Sequence, residues 1–556
     1  MEPIWLKHYP AAVPRDINVS LYPSLVDLLE SSFKKNAAKP AYLMMGKSLS
    51  FAQVDEASRA LAAYLQSLGL EKGDRVALMM PNLFQYPVAV AAVLRAGYVV
   101  VNVNPLYTPR ELEHQLKDSG AKAIVIIENF ASVLQQVIQN VPTKHVILAA
   151  MGDMLGLKGL LVNYVVRKVK KMVPAFQLPG AVKFTDALSK GRGLTYKAPK
   201  LGPDDIAVLQ YTGGTTGVSK GAVLLHRNLV ANILQSEAWY QPALKKIPAG
   251  EQVTTICALP LYHIFGFNTN MMLSMHMGGA NVLIPNPRDL PAMFKELANH
   301  RFHSFPAVNT LFMAMANHAD FGTVDWSRLV ISVGGGMAVQ QATAKLWLEK
   351  TGCPIVEGYG LSETSPSASC NPTDSTAYSG TIGLPMPLTE LQLLDDDGNE
   401  VPMGQPGEIA IRGPQVMAGY WQRPDETAKV MTADGFFRTG DIGTVDERGY
   451  FKIVDRKKDM ILVSGFNVYP NEVEDVITQM PGVLECAAVG VPDSKAGEAV
   501  KVVIVKKDPN VTEADVRAYC EANLTGYKRP KIVEFRTELP KTPVGKILRR
   551  ELRDKS

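Results

Sequence analysis

Short apolar runs that alternate with segments of helical length are the feature that most constrains how this chain can fold. Three runs, "RVALMM" at 75–80, "YVVVNVN" at 98–104 and "AKAIVII" at 121–127, are bounded by turn residues. Residues 25–37 and 51–68 instead carry apolar side chains at helical spacing. Continuous apolar runs are typical of strands buried on both faces, so the alternation predicts an α/β sheet covered by helices. Further strands are expected at 253–259, 280–284, 329–335 and 354–360.

The pattern changes twice toward the C-terminus, and each change predicts a boundary. From about residue 380, short alternating strands are joined by Asp-Gly, Asn and Pro-Gly turns, which predicts a β-rich subdomain over 380–454. After "VDRKKD" a new mixture of helices and strands covers roughly 100 residues, the size of a small domain. Because 556 residues are too many for one core, we expect a large N-terminal domain at 1–454, a hinge at 455–459 and a small α+β domain at 460–556.

The composition argues against several classes of protein. Apolar residues make up 46% and charged residues 20% of the chain, as in an ordinary globular protein. The net charge of +4 gives no support to nucleic-acid binding, and we expect no such partner. The five cysteines lack metal-ligand spacing, and no run of about 20 apolar residues predicts a membrane span. The start, "MEPIWLKHYP", does not resemble a signal peptide, so a cytoplasmic protein is expected.

A loop rich in glycine and threonine, "YTGGTTGVSKG" at 211–221, is predicted to bind phosphate. Its glycines allow backbone N–H groups to form a concave cluster of donors, and its hydroxyls and lysine add donors and positive charge. A triphosphate is the natural ligand of such a loop. The candidate contacts are Thr212, Gly213, Gly214, Thr215, Thr216, Gly217, Ser219 and Lys220.

Two other interpretations of this loop are less well supported. The Walker pattern GxxxxGK[ST] is absent, because Lys220 is followed by Gly221. The segment "GVSKG" at 217–221 matches the G-x-S-x-G of hydrolases, but a nucleophile elbow requires a strand that runs directly into the serine. Glycines and threonines precede this match, which argues against a serine hydrolase.

Five motifs stand in order along the chain: "YTGGTTGVSKGA", "GYGLSET" (358–364), "RTGDIG" (438–443), "GYFKIVDRKKDMI" (449–461) and "PKTPVGKILRREL" (540–552). Together they resemble the acyl-adenylate-forming superfamily, which includes acyl-CoA synthetases, luciferases and the adenylation domains of peptide synthetases. The resemblance covers essentially the whole chain. The segments "WLKHYP" and "LPLYHIFGF", together with the length, most resemble bacterial long-chain fatty-acid–CoA ligases.

The resemblance implies that a carboxylate attacks the α-phosphate of ATP, and that coenzyme A then displaces AMP from the acyl-adenylate. Both steps concentrate negative charge, so preorganised donors and a metal ion are expected. Glu363 and Thr216 are the implied ligands of Mg²⁺, which prefers one or two carboxylates together with phosphate oxygens.

The same resemblance implies the nucleotide contacts. Tyr359 and the backbone of 334–336 would enclose the adenine, and Asp441, assisted by Arg456, would accept hydrogen bonds from the ribose. The family pattern often has Gln before "GYG", where this chain has Glu357. The implied contacts outside the glycine-threonine loop are Gly335, Gly336, Gly358, Tyr359, Gly360, Ser362, Asp441, Ile453, Arg456 and Gly465.

Lys546, Glu363 and His263 are the implied catalytic residues. Lys546 would bring its charge to the α-phosphate and the acyl oxygen. His263 would approach the substrate carboxylate, or else is a satisfied core residue. The small domain is expected to rotate about Asp455 between the two half-reactions, which would bring Gly465 to the pantetheine channel.

The acyl site and the membrane contact stay open. Residues 259–279 are rich in aromatic residues and methionines, which suits an alkyl chain or plain core packing, and Phe267 stands where relatives place an aromatic gate. Segment 154–173, "MLGLKGLLVNYVVRKVKKMV", is interpreted either as an ordinary surface helix or as an interfacial segment on anionic lipid. Peripheral contact with the inner membrane is therefore left open. A homodimer is a second partner expectation that the sequence leaves open.

The sequence thus predicts a long-chain fatty-acid–CoA ligase that uses ATP, Mg²⁺ and coenzyme A. One alternative is a ligase for medium-chain or aryl acids. Another is a fatty-acyl-AMP ligase that does not use coenzyme A, although the insertion usual in such loaders is not seen before the small domain. A catalytically dead binding protein is disfavoured because Glu363, Asp441 and Lys546 are all present.

Overall fold

Two mostly parallel sheets form the frame of the N-terminal part. The computed structural model describes residues 3–212, 219–464, 466–493, 496–542 and 545–553. Strands in these ranges, numbered in chain order, are β1 Pro40–Met44, β2 Lys47–Ser50, β3 Arg75–Met79, β4 Val99–Asn102, β5 Ala123–Ile127, β6 His145–Ala149, β7 Val182–Lys183, β8 Ile206–Thr212, β9 Lys220–Leu225, β10 Thr254–Cys257, β11 Ala280–Leu283, β12 Ser304–Ala307, β13 Ile331–Gly334, β14 Ile355–Gly360, β15 Ser367–Cys370, β16 Leu384–Pro385, β17 Glu390–Leu394, β18 Gly407–Arg412, β19 Gly419–Tyr420, β20 Phe437–Val445, β21 Phe451–Arg456, β22 Ile461–Val463, β23 Phe466–Val468, β24 Val483–Asp493, β25 Gly497–Lys506 and β26 Ile532–Arg536.

Helices cover the faces of these sheets. The α-helices of the described ranges are α1 Leu25–Asn36, α2 Phe51–Gln66, α3 Gln85–Arg95, α4 Pro109–Ser119, α5 Ala131–Val137, α6 Leu157–Tyr164, α7 Phe184–Arg192, α8 His226–Leu244, α9 Leu273–Met277, α10 Leu290–Leu297, α11 Asn309–Ala316, α12 Gln341–Thr351, α13 Pro424–Val430, α14 Pro470–Thr478, α15 Glu513–Asn523 and α16 Arg550–Arg553. Two π-helical segments, Val165–Val169 and Gly266–Met272, continue α6 and precede α9 respectively.

The first sheet has the strand order β16-β15-β14-β13-β12-β10-β11-β1-β2. Its central strands, from β1 to β14, pair in parallel, and antiparallel pairs close both edges. Every residue of β11, β12 and β13 is buried. The continuous apolar runs of the sequence therefore correspond to strands that are covered on both faces, as predicted.

The second sheet has the order β19-β9-β8-β4-β3-β5-β6-β7. From β8 to β7 its strands pair in parallel, whereas β9 is antiparallel to β8 and β19 is antiparallel to β9. The register joins Thr212 to Lys220, which fixes the two ends of the glycine-threonine loop beside each other.

The third and fourth sheets account for the C-terminal third of the chain. β17, β18, β20 and β21 form an antiparallel sheet, and β22 to β25 form a second one, to which β26 adds a parallel edge. The predicted class is confirmed: large α/β sheets, a β-rich subdomain and a smaller α+β part. Strand β21 continues to Arg456, so the predicted hinge at 455–459 begins inside a strand, and the domain division itself stays a prediction.

Local sequence signals explain where the N-terminal helices begin. The Ser50 hydroxyl accepts a hydrogen bond from the Gln53 amide ahead of α2, and Thr108 does the same for Glu111 ahead of α4. In both helices the third residue returns a side-chain contact, which satisfies two amide donors that the helix leaves unpaired. No helix in the described ranges combines the length and the apolarity needed to cross a bilayer.

Candidate active site

A cavity of about 2160 Å³ lies between the N-terminal sheets and the C-terminal part. Asn102 and Thr212, the last residues of β4 and β8, line it together with Gly335, which follows β13. Lys546 closes it from the C-terminal part. Ligands of open α/β sheets bind beyond the carboxyl ends of the strands, which is where this cavity opens.

Both ends of the glycine-threonine loop border the cavity. Thr212, Ser219 and Lys220 are among its lining residues, as predicted from the sequence. The other predicted contacts of this loop lie outside the described residues: Gly213, Gly214, Thr215, Thr216 and Gly217.

Lys220 is held at the edge of the cavity by two neighbours. Its Nζ donates a hydrogen bond of 2.6 Å to Glu426 Oε2 and lies 4.7 Å from the ring centroid of Tyr420. The ammonium group holds the pKa of Glu426 at about 2, well below its usual range. An anion that enters the cavity would have to compete with Glu426 for this lysine.

The wall expected to face the adenine is formed mostly by glycine backbone. Gly335, Gly336, Gly358, Tyr359 and Gly360 all line the cavity. A Cβ at Gly335 would come within 3.0 Å of the Phe265 ring, so only glycine leaves this surface flat. Close approach of a planar ligand is therefore sterically allowed here.

Asp441 and Tyr359 form one buried network with Arg456. The Tyr359 hydroxyl donates a hydrogen bond of 2.7 Å to Asp441 Oδ2, and Arg456 Nε lies 3.2 Å from Asp441 Oδ1. A carboxylate can accept about four hydrogen bonds, so two partners leave capacity for a ligand hydroxyl. Ser362 and Ile453, also predicted, line the same cavity.

Glu363 is a buried carboxyl that faces the cavity. It lies on the short 3₁₀ turn after β14, and its Oε1 accepts a hydrogen bond of 2.8 Å from the Tyr420 hydroxyl. Burial raises the pKa of Glu363 above its ordinary value, and the Tyr420 bond opposes that rise. A buried anionic oxygen with a neutral donor on one side is suited to a cation on the other.

Glu357 is a second buried carboxyl of this wall. Its Oε1 accepts a hydrogen bond of 3.0 Å from the Val339 amide. Burial raises the pKa of Glu357 to about 8, so its side chain is protonated at neutral pH. A protonated carboxyl has one donor and one acceptor, much like the Gln that the family pattern often has here.

Two hydrogen bonds hold the backbone beside Lys546, which lines the cavity. The Lys546 amide donates to Thr542 Oγ1 over 3.0 Å, and the Gly545 carbonyl accepts a hydrogen bond of 3.3 Å from the Thr310 hydroxyl of the N-terminal part. Burial lowers the pKa of Lys546 to about 7, and Arg456 adds to this effect while Asp441 opposes it. The ammonium is thus poised to gain from an anionic ligand.

His263 lies close to Lys546. Burial and the charge of Lys546 lower the pKa of His263 to about 4, so the imidazole is neutral. His263 lines the cavity, which places it within the predicted site.

The aromatic residues beside His263 include several that were not predicted. Phe267 is fully buried on the π-helical segment and does not line the cavity, and the gate at this residue stays a prediction. Trp239 and Tyr240 at the end of α8, together with Phe265, line the cavity instead. The π-helical turn places Phe265 toward the cavity and Phe267 toward the core.

The described residues of the predicted pantetheine segment do not line this cavity. Leu462 and Phe466 are exposed and do not belong to the lining of the cavity. Gly465 lies outside the described residues. In this arrangement the C-terminal part therefore presents Lys546, and not Leu462 or Phe466, to the cavity.

Two residues of the site were not predicted from the sequence. Tyr420 and Glu426 belong to "AGYWQRPDET", where no spacing signals chemistry. Only the pairing of β19 with β9 brings Tyr420 beside Lys220 and Glu363. A sequence signal for this contact would have required knowledge of the strand register.

Comparison with known proteins identifies the family. Residues 29–421 match the model of the AMP-binding enzyme family, and residues 472–546 match that of the AMP-binding enzyme C-terminal domain. Fold and site together define an adenylate-forming ligase, and the chain belongs to the AMP-binding enzyme family.

Individual members of the family are similar to the chain over almost its full length. The chain is 57% identical to a long-chain-fatty-acid–CoA ligase of Escherichia coli O6:H1, over 100% of this chain and 99% of the relative. It is 50% identical to the protein of the same name from Haemophilus influenzae, over 100% and 98% of the two chains. Among solved structures, the anthranilate CoA ligase AuaEII in complex with anthranoyl-AMP superposes with a TM-score of 0.85 at 27% identity, over 96% of this chain and 98% of that one.

Proposed function

We propose that the protein is an ATP-dependent long-chain fatty-acid–CoA ligase. The observation that carries the proposal is the meeting of Lys546, Asp441 and Glu363 around one cavity, although they come from three separate parts of the chain. Full-length identity to long-chain-fatty-acid–CoA ligases supports the choice of acid and thiol.

In the first half-reaction a carboxylate oxygen attacks the α-phosphorus of ATP, and the bond to the bridging oxygen of pyrophosphate breaks. The resulting acyl-adenylate is a mixed anhydride. Lys546 would donate to the α-phosphate and acyl oxygens, where charge builds up during attack. The anionic phosphates would raise the pKa of Lys546 from about 7 and keep it protonated.

The remaining residues would hold and orient the nucleotide. Asp441 would accept hydrogen bonds from the ribose hydroxyls, with Tyr359 and Arg456 fixing its carboxylate. The glycine wall at 335–336 would cover the adenine, and Lys220 would leave Glu426 to meet the phosphates. Neutral His263 would donate one hydrogen bond to the substrate carboxylate without competing for a proton.

The donor set at Glu363 fits a magnesium ion. One buried carboxylate at the edge of a phosphate site, with substrate oxygens completing the shell, is the arrangement that Mg²⁺ prefers in nucleotide enzymes. Glu363 would hold the ion together with the predicted ligand Thr216. The ion would supply neutralisation of phosphate oxygens during attack.

In the second half-reaction the sulfur of coenzyme A would attack the acyl carbon, AMP would leave, and the thiol proton would be released. We propose that the domain at 460–556 rotates about Asp455 to carry Lys546 out and the 462–467 segment, with Gly465, in. Asp455 supports this role because its buried carboxylate links the hinge to the C-terminal domain, accepting hydrogen bonds from the Arg456 and Asn471 amides at 2.7 and 2.8 Å.

We also propose that the enzyme works at the cytoplasmic face of the inner membrane. A long alkyl chain gains about 0.8 kcal/mol per buried methylene in a bilayer, so most of the substrate is present at the membrane. The homodimer that the sequence analysis left open stays a prediction.

An ATP–pyrophosphate exchange assay across a series of acids tests the substrate. We expect exchange to be strongest with long-chain acids such as oleate, and weak with acetate. The aryl alternative is favoured by the structural relative that holds anthranoyl-AMP, so benzoate and anthranilate belong in the series. A maximum at acetate or at an aryl acid would overturn the long-chain assignment.

A further inference from the structure

Among the described residues, the most exposed apolar side chains lie on α6 and the turn after it, outside the lining of the cavity. Leu157, Leu160, Leu161 and Tyr164 are 88%, 70%, 64% and 60% exposed. Val169 and Met172 continue the same segment and are also exposed. Single exposed apolar residues are normal on protein surfaces, but six within 16 residues of chain are not.

The amphipathic pattern of α6 is inverted. The exposed residues follow the helical spacing i, i+3, i+4 and i+7, which normally marks the face that packs on the core. The side of the helix that meets the protein carries Gly159, and a Cβ at this position would overlap the carbonyl oxygen of Gly152. The helix thus uses its smallest residue to pack inward and leaves its large apolar side chains outside.

The exposed stripe is fixed in this orientation. Asn163 Oδ1 accepts a hydrogen bond of 2.7 Å from the Gly152 amide, and Lys158 Nζ donates to the Met45 carbonyl at 2.6 Å. Arg167 makes a two-pronged contact to Glu128, at 2.8 and 2.9 Å. These contacts hold the helix from several sides, so the apolar stripe is a built surface and not a frayed helix.

The charged side chains within this segment all have a positive sign. Lys168, Lys170 and Lys171 are exposed at its C-terminal end, and the sequence contains no Asp or Glu from 154 to 185. Apolar side chains flanked by lysines are complementary to an anionic lipid surface, where the apolar groups enter the acyl boundary and the ammonium groups meet phosphate.

We propose that this surface, formed by Leu157, Leu160, Leu161, Tyr164, Val169 and Met172 with Lys168, Lys170 and Lys171, docks the protein on an anionic phospholipid bilayer. It is separate from the cavity, since none of these residues lines it. The inference gives a location to the membrane contact proposed above, and it does not depend on which acid the enzyme activates. A second copy of the chain is the competing occupant of the same surface.

Co-sedimentation of the full chain with vesicles tests the proposal in the absence of any substrate. The vesicles contain phosphatidylethanolamine and phosphatidylglycerol at three to one, or phosphatidylcholine alone. We expect the wild type to pellet with the anionic vesicles and less with phosphatidylcholine. The double variant Leu157→Ser/Leu160→Ser and the triple variant Lys168→Glu/Lys170→Glu/Lys171→Glu should each bind the anionic vesicles about tenfold or more weakly.

A matched control separates loss of this surface from loss of apolar exposure in general. Leu21→Ser/Met403→Ser removes two other exposed apolar side chains and should bind vesicles as the wild type does. Thermal melting and pyrophosphate exchange with octanoate should be unchanged in all variants, which excludes misfolding. Exchange that fails in the wild type would count against the ligase proposal and leave the vesicle result intact.

Three outcomes would overturn the docking proposal. The first is no pelleting of the wild type with anionic vesicles. The second is equal binding by the wild type and both α6 variants. The third is unchanged vesicle binding together with a shift from dimer to monomer in sedimentation velocity, which would assign the surface to a second copy.

Discussion

At the scale of single residues, the central prediction concerns Lys546. Replacing Lys546 with Ala removes a buried ammonium that the C-terminal part brings into the cavity. We expect acyl-adenylate formation to fall by about 10²–10³-fold, the usual effect of losing one donor to a transition-state oxyanion. Thioester formation from supplied acyl-AMP should be nearly unaffected. Lys531→Ala, which removes a surface lysine paired with Asp493 within the C-terminal part, is the control and should leave both steps intact. Equal loss of both steps in Lys546→Ala would exclude the assigned role.

Tyr420 offers a test of the metal site that does not remove the carboxylate. Tyr420→Phe deletes the hydroxyl that donates to Glu363 and keeps the ring beneath Lys220. We expect about three- to tenfold more Mg²⁺ to be needed for half-maximal exchange, because a lost hydrogen bond of this kind is worth about 1 kcal/mol. Glu363→Gln should raise the requirement further. An unchanged Mg²⁺ titration in both variants would remove Glu363 from the metal site.

Glu357 predicts how stability depends on pH. Its pKa is about 8 in the folded protein and near 4.5 when unfolded, because burial disfavours the charged carboxylate. The unfolded chain therefore loses this proton at lower pH, and the contribution of Glu357 to stability is present below pH 4.5 and is lost as the pH rises to 8. Glu357→Gln has no proton to lose. Its free energy of unfolding, compared with that of the wild type, should therefore increase between pH 5 and 8 by on the order of a few kcal/mol.

Thermal melting of both proteins from pH 5 to 9 measures this effect. The control is Glu349→Gln, at an exposed residue of α12, which should follow the wild type at every pH. A wild-type and a Glu357→Gln curve that stay parallel across this range would show that Glu357 is ionised in the folded protein.

At the scale of elements, the sequence predicted the strands that are covered on both faces of a sheet. The runs at 75–80, 121–127 and 354–360 became β3, β5 and β14 almost residue for residue. Such strands can be predicted without knowledge of their neighbours, because most of their residues are apolar and form a continuous run. The antiparallel pair β19–β9 could not be predicted, since β19 has only two residues and its partner lies some 200 residues earlier in the chain.

The features of the site that the sequence did not indicate have the same origin. The resemblance places an acyl gate at Phe267, and the π-helical turn over Gly266–Met272 buries this ring and leaves Phe265 beside the glycine wall. Tyr420 and Glu426 carry no sequence signal, because their role follows from strand register alone. By contrast Asp441, Glu363 and Lys546 stand in motifs, and all three meet at the cavity.

The docking of α6 can be tested through its closest contact. Gly159→Ala would place a methyl group against the Gly152 carbonyl oxygen and push the helix outward. We expect a loss of about 1–3 kcal/mol in local stability, typical of overpacking, and faster tryptic cleavage near Arg167 and Lys168. Gly193→Ala, where a Cβ has room, is the control. Identical cleavage rates in the two variants would mean that α6 is not held through Gly159.

At the scale of the whole molecule, the two proposed half-reactions require two positions of the small C-terminal domain. In the present arrangement the C-terminal part is tied to the N-terminal part by a few polar contacts. Thr310 bonds the Gly545 carbonyl at 3.3 Å, and Lys507 bonds Asn317 at 3.0 Å. Such sparse contacts suit an interface that opens between reaction steps.

The central claim is that a fatty acid becomes reactive by forming a mixed anhydride with AMP in the cavity that Lys546 closes. Mass spectrometry of the enzyme mixed with Mg-ATP and oleate, first without coenzyme A and then with it, measures this most directly. The account predicts oleoyl-AMP and pyrophosphate in the first sample, and oleoyl-CoA with AMP in the second. The absence of an acyl-adenylate with oleate and with every other acid of the series would contradict it.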